Sequence, residues 1–447
     1  MNRGNIVSRR GFVKKAAALA AAPYVITSPF RAVAGQPAPN DKITMGFIGP
    51  GKQGLGHVRR FLRQSEVQVV AVCDVDTSRR EFARKTVEET YAKDKDRPNF
   101  KGCAAYKDFR ELLARDDINA VLIATPDHWH AIPVILAAQA KKDIYCEKPL
   151  SLTIREAREM VKAVRKHNVI FQTGSQQRSE YGGRFRLACE LVRSGRIGKV
   201  LTVHVGVGGP SRDCDLAEQP VPEGLDWNFW LGPAPLRGYH EILCPRGIPT
   251  KPDSSAGNVP FYNHFPKWRD YKDYSGGGMT DFGAHHFDIA QWGLNMDHSG
   301  PVQIIPPNEK EKTPLTYKYA NGVIMYHGGA NGVKFTGTDG WVEAGRNQFK
   351  TYPESIGKEP LGPNDVHLGG NESHAENWLN CLRNRKLPIC DVEIGCRSVT
   401  VCHLGNLAWW NSRTLRWDPE KERFIGDDEA NTWLDRPKRA PWSLPVV

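Results

Sequence analysis

The stretch that decides the fold is Lys42-Ile43-Thr44-Met45-Gly46-Phe47-Ile48-Gly49-Pro50-Gly51-Lys52-Gln53-Gly54. Ile43 to Ile48 is an apolar run that reads as a buried strand. It breaks into Gly49-x-Gly51-x-x-Gly54, and Leu55 to Leu62 follows with helical spacing. In a strand–turn–helix setting the first glycine permits the tight turn, the second lets backbone approach a pyrophosphate, and the third lets helix and strand pack closely. The helix N-terminus then offers unpaired N–H groups and a positive dipole to phosphates. A second apolar run, Val67 to Val75, reaches Asp74, twenty residues after Gly54. A carboxylate at that spacing accepts hydrogen bonds from a ribose 2′-OH and repels a 2′-phosphate, which favours NAD over NADP.

Working outward, residues 42–150 alternate strand and helix patterns. Thr77 to Tyr91 is helical and charged, Phe109 to Ala114 a short helix, and Ala120 to Ala124 a buried strand ending in Thr125-Pro126-Asp127-His128-Trp129-His130. Ile132 to Ala140 is an apolar helix, and Asp143 to Cys146 a strand ending in Glu147-Lys148-Pro149. This alternation predicts a doubly wound parallel sheet, whose ligands sit at the carboxyl ends of the strands. Thr153 and Glu156 predict a capping box for the next helix. Val169 to Gln172 is a further strand, leading to Gly174-Ser175-Gln176-Gln177-Arg178. The predicted organisation is an NAD-binding domain over 35–171 and a second domain over 172–447. The latter carries a Pro-, Gly- and aromatic-rich insertion at about 209–275 that contains Trp227, Phe229, Trp230, Trp268, Tyr271 and Tyr274. Its aromatics argue against disorder and suit a sugar-stacking wall, a subunit contact or core filling. Strands are expected over 301–345 and helices at Ser373 to Leu382 and Gly395 to Trp410. A charged, loop-like tail is expected from Asp418.

At 447 residues, with ordinary composition, the chain can bury a large core. Its net charge of +11 is partly an address: residues 1–34 hold six basic residues and no acid. Ser8-Arg9-Arg10-Gly11-Phe12-Val13-Lys14, the apolar run Ala16 to Ile26 and Ala32-Val33-Ala34 predict a twin-arginine export signal with a cleavage site, hence a periplasmic protein without stable membrane insertion. The remaining basic residues form no block, and no nucleic-acid partner is expected. The ten cysteines include no CxxC pair. Cys390, Cys396 and Cys402 are spaced six apart, which leaves a late disulfide open.

The chemical signal is Gly276-Gly277-Gly278-Met279-Thr280-Asp281-Phe282-Gly283-Ala284-His285-His286-Phe287-Asp288. Asp281 and His285, four apart, share a helix face, so the carboxylate is expected to fix the imidazole's tautomer and raise its basicity. Oxidation of an alcohol by NAD needs a proton acceptor of this kind, and Lys148 would be a fixed positive charge beside the forming carbonyl oxygen; the sequence leaves the division of labour between Lys148 and His285 open. His128, His130, His285 and His286 lack HExxH or comparable spacing, and no metal is expected.

These motifs together resemble the glucose-fructose oxidoreductase / inositol dehydrogenase (Gfo/Idh/MocA) family. The shared features are the glycine turn, Val72-Cys73-Asp74, Thr125-Pro126 with His130, Glu147-Lys148-Pro149, Gly174 with Arg178, and Gly278-x-x-Asp281-x-Gly283-x-His285-x-x-Asp288. The resemblance spans about residues 42–300. It implies a Rossmann domain followed by an α/β domain with an open, mainly antiparallel sheet, often used to form homo-oligomers. It also implies a catalytic trio of Lys148, Asp281 and His285, and a sugar or cyclitol substrate. The dinucleotide is expected on Gly49, Gly51, Gln53, Gly54, Asp74, Thr125, Pro126, His130, Glu147 and Lys148. The sugar is expected on Gln176, Arg178, Trp230, Trp268 and His286. The expected activity is hydride transfer between a carbohydrate carbon and tightly bound NAD. Some NAD-dependent glycoside hydrolases of the superfamily oxidise, eliminate and reduce in turn; their Tyr-Pro-Thr-His segment is missing here, so that route ranks second. A noncatalytic carbohydrate-binding scaffold ranks third.

Overall fold

The computed structural model of the chain describes residues 42–94, 102–251 and 260–447. The export signal, and residues 252–259 of the insertion, lie outside the described residues.

The first sheet has six strands in the order β3-β2-β1-β4-β5-β6, all parallel. They are β1 (Ile43–Ile48), β2 (Val67–Cys73), β3 (Ala104–Tyr106), β4 (Ala120–Ile123), β5 (Asp143–Cys146) and β6 (Phe171–Thr173). The order reverses between β1 and β4, the switch point at which such sheets open a crevice. β2 stops before Asp74, whose backbone N–H turns aside to the Tyr106 carbonyl at 3.1 Å. The first helix spans Lys52–Phe61, beginning a turn earlier than its apolar spacing suggested. Lys52 and Gln53 are polar because this turn faces the nucleotide pocket. The predicted capping box is present at Ile154–His167: the Thr153 hydroxyl accepts from the Glu156 N–H while the Glu156 carboxylate accepts from the Thr153 N–H.

The second sheet has nine strands in the order β13-β12-β11-β7-β10-β9-β8-β14-β15. These are β7 (Val200–Val205), β8 (Gln303–Ile305), β9 (Thr316–Lys318), β10 (Ile324–His327), β11 (Val333–Gly337), β12 (Trp341–Ala344), β13 (Phe349–Tyr352), β14 (Leu415–Asp418) and β15 (Arg423–Phe424). Only β7 and β10 pair in parallel; the other pairings are antiparallel. Alternation along β7 and β11 puts Val203, Val205, Val333 and Phe335 on one buried face, against Phe185, Phe287 and Ala290 of helices Arg184–Arg193 and Gly283–Gly293. Late helices close the first domain. His374–Asn384 lays Trp378, Leu379 and Leu382 against Met45, Phe47 and Phe61. Val392–Asn411 contributes Val392, Cys396 and Val399 to the cluster on the opposite face.

One expectation is corrected and one open point is answered. The tail past Asp418 forms β15 and helix Asp428–Thr432, and Trp442 packs on Trp129 and Phe229 at ring separations of 4.7 and 5.4 Å. Apolar rings in an otherwise charged tail carried that information. Cys390, Cys396 and Cys402 are free and buried as thiols. The insertion builds its own small core from Trp227, Trp230, Tyr239, Leu243, Tyr271 and Tyr274, so most of its aromatics are structural.

Candidate active site

The crevice above the switch point has two connected ends. At the nucleotide end, Gly49 has φ +83°, and a Cβ there would lie 2.8 Å from the Thr125 backbone N. A Cβ on Gly54 would meet the Gly49 carbonyl oxygen at 2.1 Å. Both positions therefore exclude side chains. Gly51 precedes the Lys52–Phe61 helix without a side-chain cap, leaving the helix's first N–H groups for a ligand. Asp74 lines this pocket, and burial raises its carboxyl to about 6 against the opposing pull of Arg79. Arg79 has its guanidinium committed elsewhere: it donates to the carbonyls of Gly247 and Pro245 and lies 5.3 Å over the Tyr262 ring. The far wall is supplied by the insertion through Phe229, Trp230, Leu243 and Tyr262. Glycines that would clash with any Cβ, a bare helix N-terminus and an acid at the ribose position fit an NAD molecule.

At the reaction end, a second cavity of about 940 Å³ shares Gln53, Thr125 and Trp268 with the first. Glu147 is buried here; its carboxylate lies 2.6 Å from His57 Nε2 and accepts from Gln53 Nε2 at 3.2 Å. Burial pushes the Glu147 carboxyl up, but His57 and Lys148 outweigh it and hold it below the ordinary value. A Cβ on Gly174 would sit 2.9 Å from that carboxylate, so a side chain here would push Glu147 from its place against His57 and Gln53. Lys148 Nζ donates to Asp281 Oδ1 at 2.7 Å and to the Asp281 carbonyl at 2.9 Å. Arg269 Nε reaches the same Oδ1 at 3.3 Å. Burial raises the Asp281 carboxyl, yet Lys148 and Arg269 bring it below the ordinary range. His285 lines the cavity with Lys148 and Asp281, and its Nδ1 has no hydrogen-bond partner among the described residues. Burial, then Lys148 and Arg346, push its pKa well down, so at neutral pH it is an unprotonated base.

The structure thus gathers the three predicted catalytic residues, but not in the expected pairing. Asp281 ends the short helix Gly278–Asp281, His285 lies in Gly283–Gly293, and no hydrogen bond joins them. Two cations compete for the carboxylate more strongly than a neutral imidazole. Thr125, Pro126 and Gln53 line the crevice as expected, and Gln176 lines its reaction end. Several other site expectations are corrected. His130 joins two strand-end loops, with Nε2 2.8 Å from the Thr125 carbonyl and Nδ1 2.9 Å from the Pro149 carbonyl, so it positions the loops rather than touching a ligand. Arg178 is 1 % exposed and ion-paired with Asp288 and Asp297, so it cannot reach a sugar. Trp230 stacks on Trp227 at 4.7 Å and borders the nucleotide end. Trp268, by contrast, does line the reaction end as well as the nucleotide end, beneath Arg269 at 4.1 Å. His286 turns away, with Nδ1 2.6 Å from the Gly206 carbonyl. Among the described residues no three His, Cys, Asp or Glu side chains gather as metal ligands, and no helix is long and apolar enough to cross a membrane.

Sequence reasoning missed Arg269, Phe265, Tyr181 and Arg346, and gave no role to Phe282 within the glycine-rich signal, although all five line the reaction end. It quoted Asp127 without a role. That buried carboxyl accepts from Ser275 Oγ at 2.6 Å, and burial raises it to about 7. None of these stands in a spacing motif; Asp127, next to Thr125-Pro126 at a strand's carboxyl end, is the one that position alone could have flagged.

Residues 43–175 match the NAD-binding Rossmann fold of the GFO_IDH_MocA oxidoreductase family, and residues 254–444 match that family's C-terminal α/β domain. The chain belongs to the Gfo/Idh/MocA oxidoreductase family. A 2,7-anhydro-N-acetylneuraminate hydratase of Mediterraneibacter gnavus is 30% identical over 222 residues, 48% of this chain and 53% of that protein. A glycosyl hydrolase family 109 protein of a Shewanella species is 28% identical over 214 residues, 44% of each chain. The chain spans about half the length of these curated relatives. The fold is shared with the WlbA dehydrogenase of Bordetella pertussis, solved with NADH and UDP-GlcNAcA (TM-score 0.57, 16% identity, 84% of this chain and 99% of that one). It is shared too with an aldose-aldose oxidoreductase of Caulobacter crescentus, solved with glycerol (TM-score 0.54, 16% identity, 84% and 99%).

Proposed function

We propose that this Gfo/Idh/MocA member is an exported sugar oxidoreductase that keeps its NAD between turnovers. The observation that carries the reading is the Lys148–Asp281 pair, 2.7 Å apart, in one cavity with the unprotonated His285 and continuous with the nucleotide pocket. NAD bound there would supply a hydride acceptor for a sugar carbon. His285 takes the hydroxyl proton as that carbon is oxidised. Lys148, held by Asp281, places positive charge where the carbonyl oxygen forms. Phe265 and Phe282 are 52 % and 38 % exposed at this cavity, and open rings of this kind suit the apolar C–H faces of a sugar. The wall built by the insertion over the nucleotide end favours retention, and the twin-arginine pattern of residues 8–14 favours periplasmic export after folding with cofactor aboard. A homo-oligomer built on the second sheet belongs to the same reading.

A redox-neutral route is the second reading, favoured by the hydratase and glycosyl hydrolase relatives. Its extra acid–base step would fall to Asp127, the cavity carboxyl that burial raises to about 7 while Glu147 and Asp281 are held low.

Protein purified without added cofactor should release NAD on denaturation, identified by mass spectrometry. Incubated with a sugar panel and no added NAD, it should yield a keto-sugar or an oxidised and reduced pair. Release of a free glycone selects the redox-neutral route, and turnover only with excess added NAD rejects retention.

A further inference from the structure

We infer that Arg346 sets the substrate class of the reaction cavity, and that the sugar taken there carries an oxyanion such as the carboxylate of a uronic acid. The inference rests on the proposed sugar reading.

Arg346 lies in the turn between β12 and β13 and lines the cavity that holds Lys148, Asp281 and His285. Its guanidinium is set between two rings, 4.9 Å from the Tyr181 centroid and 4.7 Å from that of Phe282. Its side chain donates to no protein acceptor among the described residues, and Nε is shielded from solvent with no partner. The other arginines near the crevice differ. Arg269 is bonded to Asp281 and to the Pro266 carbonyl, Arg79 to backbone carbonyls, and Arg178 to two carboxylates.

No cavity carboxylate is left over to serve Arg346. Glu147 is held by His57 and Gln53, Asp281 by Lys148 and Arg269, and Asp127 by Ser275. A half-sheltered guanidinium without an acceptor is costly, and an incoming anion removes that cost. Contact with two ring faces restrains the guanidinium and favours a preorganised fork for two parallel hydrogen bonds to an oxyanion. Phe282 serves twice, with one part against Arg346 and the exposed remainder available to the ring of the same sugar. The charge of Arg346 also helps keep His285 unprotonated, but that effect needs no free donors and so does not account for them.

The test is calorimetry on the NAD-loaded protein with matched pairs: methyl β-D-glucuronide against methyl β-D-glucoside, methyl α-D-galacturonide against its galactoside, and glucose 6-phosphate and glucose 6-sulfate against glucose. At least one anionic member should bind about tenfold or more tighter than its neutral partner, the scale of charge-assisted bidentate bonding. Arg346→Gln should erase the difference and Arg346→Lys should retain part of it. Selectivity for the phosphate or sulfate supports the same oxyanion site and changes only the source of the charge. The inference is overturned if no anion outbinds its neutral partner in wild-type protein, or if the preference survives in Arg346→Gln. Turnover of neutral sugars without anionic preference sinks this inference alone. An Arg346-dependent preference without turnover of any sugar sinks the redox reading alone.

Discussion

Asp281 and Asp288 stand seven residues apart along the same stretch, each gathering basic side chains, and their two clusters do opposite things. Around Asp281 the ion pairs with Lys148 and Arg269 line a cavity and remain partly open to solvent. Around Asp288 the central pair is sealed: Arg178 and Asp288 are both buried, Arg178 lies 4.8 Å over Trp292 and reaches on to the half-buried Asp297, and Ser398 of the long late helix donates to Asp288 at 2.7 Å. The difference shows that ionic chemistry at a site is defined by what is left unspent. On the proposed reading Lys148 is free to serve a reacting oxygen because Asp281 keeps Arg269 as a second partner. Arg178 has no latitude, because its removal would strand Asp288 in the interior.

The largest effect that would sharpen this contrast is on stability. Arg178→Met should cost about 3–5 kcal/mol, the penalty of leaving buried charges unpaired, read as a fall in urea midpoint. A stably folded Arg178→Met protein with only a raised sugar KM would break the contrast. Next comes Lys148→Met, which should lower kcat roughly 10²–10⁴-fold. Its unfolding midpoint should stay close to wild type, and NAD should still be released on denaturation. If it unfolds as readily as the Arg178 variant, the cavity pair is structural.

The sequence could not separate these two clusters, and the reason is geometric. The parallel sheet was legible because its strands are short apolar runs and its helices repeat at 3.6 residues, signals contained within 10–15 residues. The glycine turn was legible because close approach leaves no other residue possible at Gly49 and Gly54. Lys148, Asp281 and His285 were legible as members of a joint pattern. Their hydrogen bonding was not, since Lys148 arrives from 133 residues before Asp281 and displaces the imidazole that spacing alone had assigned to it. Arg178 read as a ligand residue because it follows a strand end; the acids that claim it lie 110 and 119 residues onward. Arg346 went unread for the converse reason: nothing near it in the chain marks a turn residue whose donors have no acceptor. The aromatic insertion announced its rings but not which would be core, because Trp230 and Phe265 differ only in what folds over them.

The smallest effect concerns proton uptake at His285. Burial, Lys148 and Arg346 all disfavour the imidazolium, so the folded pKa lies below the roughly 6.5 of a free imidazole. The acid limb of kcat/KM should therefore fall below pH 6.5, and Arg346→Gln should move it upward, toward that value. Stability must be followed in parallel, because the same sign applies to other buried histidines. His128 is lowered to about 3, and His286, His374 and His403 to about 4, all chiefly by burial. For each, the unfolded chain takes up a proton near pH 6.5 while the folded chain resists until its own lower pKa. Stability is thus full above about pH 6.5 and declines as the pH drops toward 4. Circular dichroism at each pH separates this unfolding from loss of the base. A kcat/KM limb at or above pH 6.5 in fully folded protein would mean that His285 is not the group taking the proton, and the cavity's chemistry would pass to another residue.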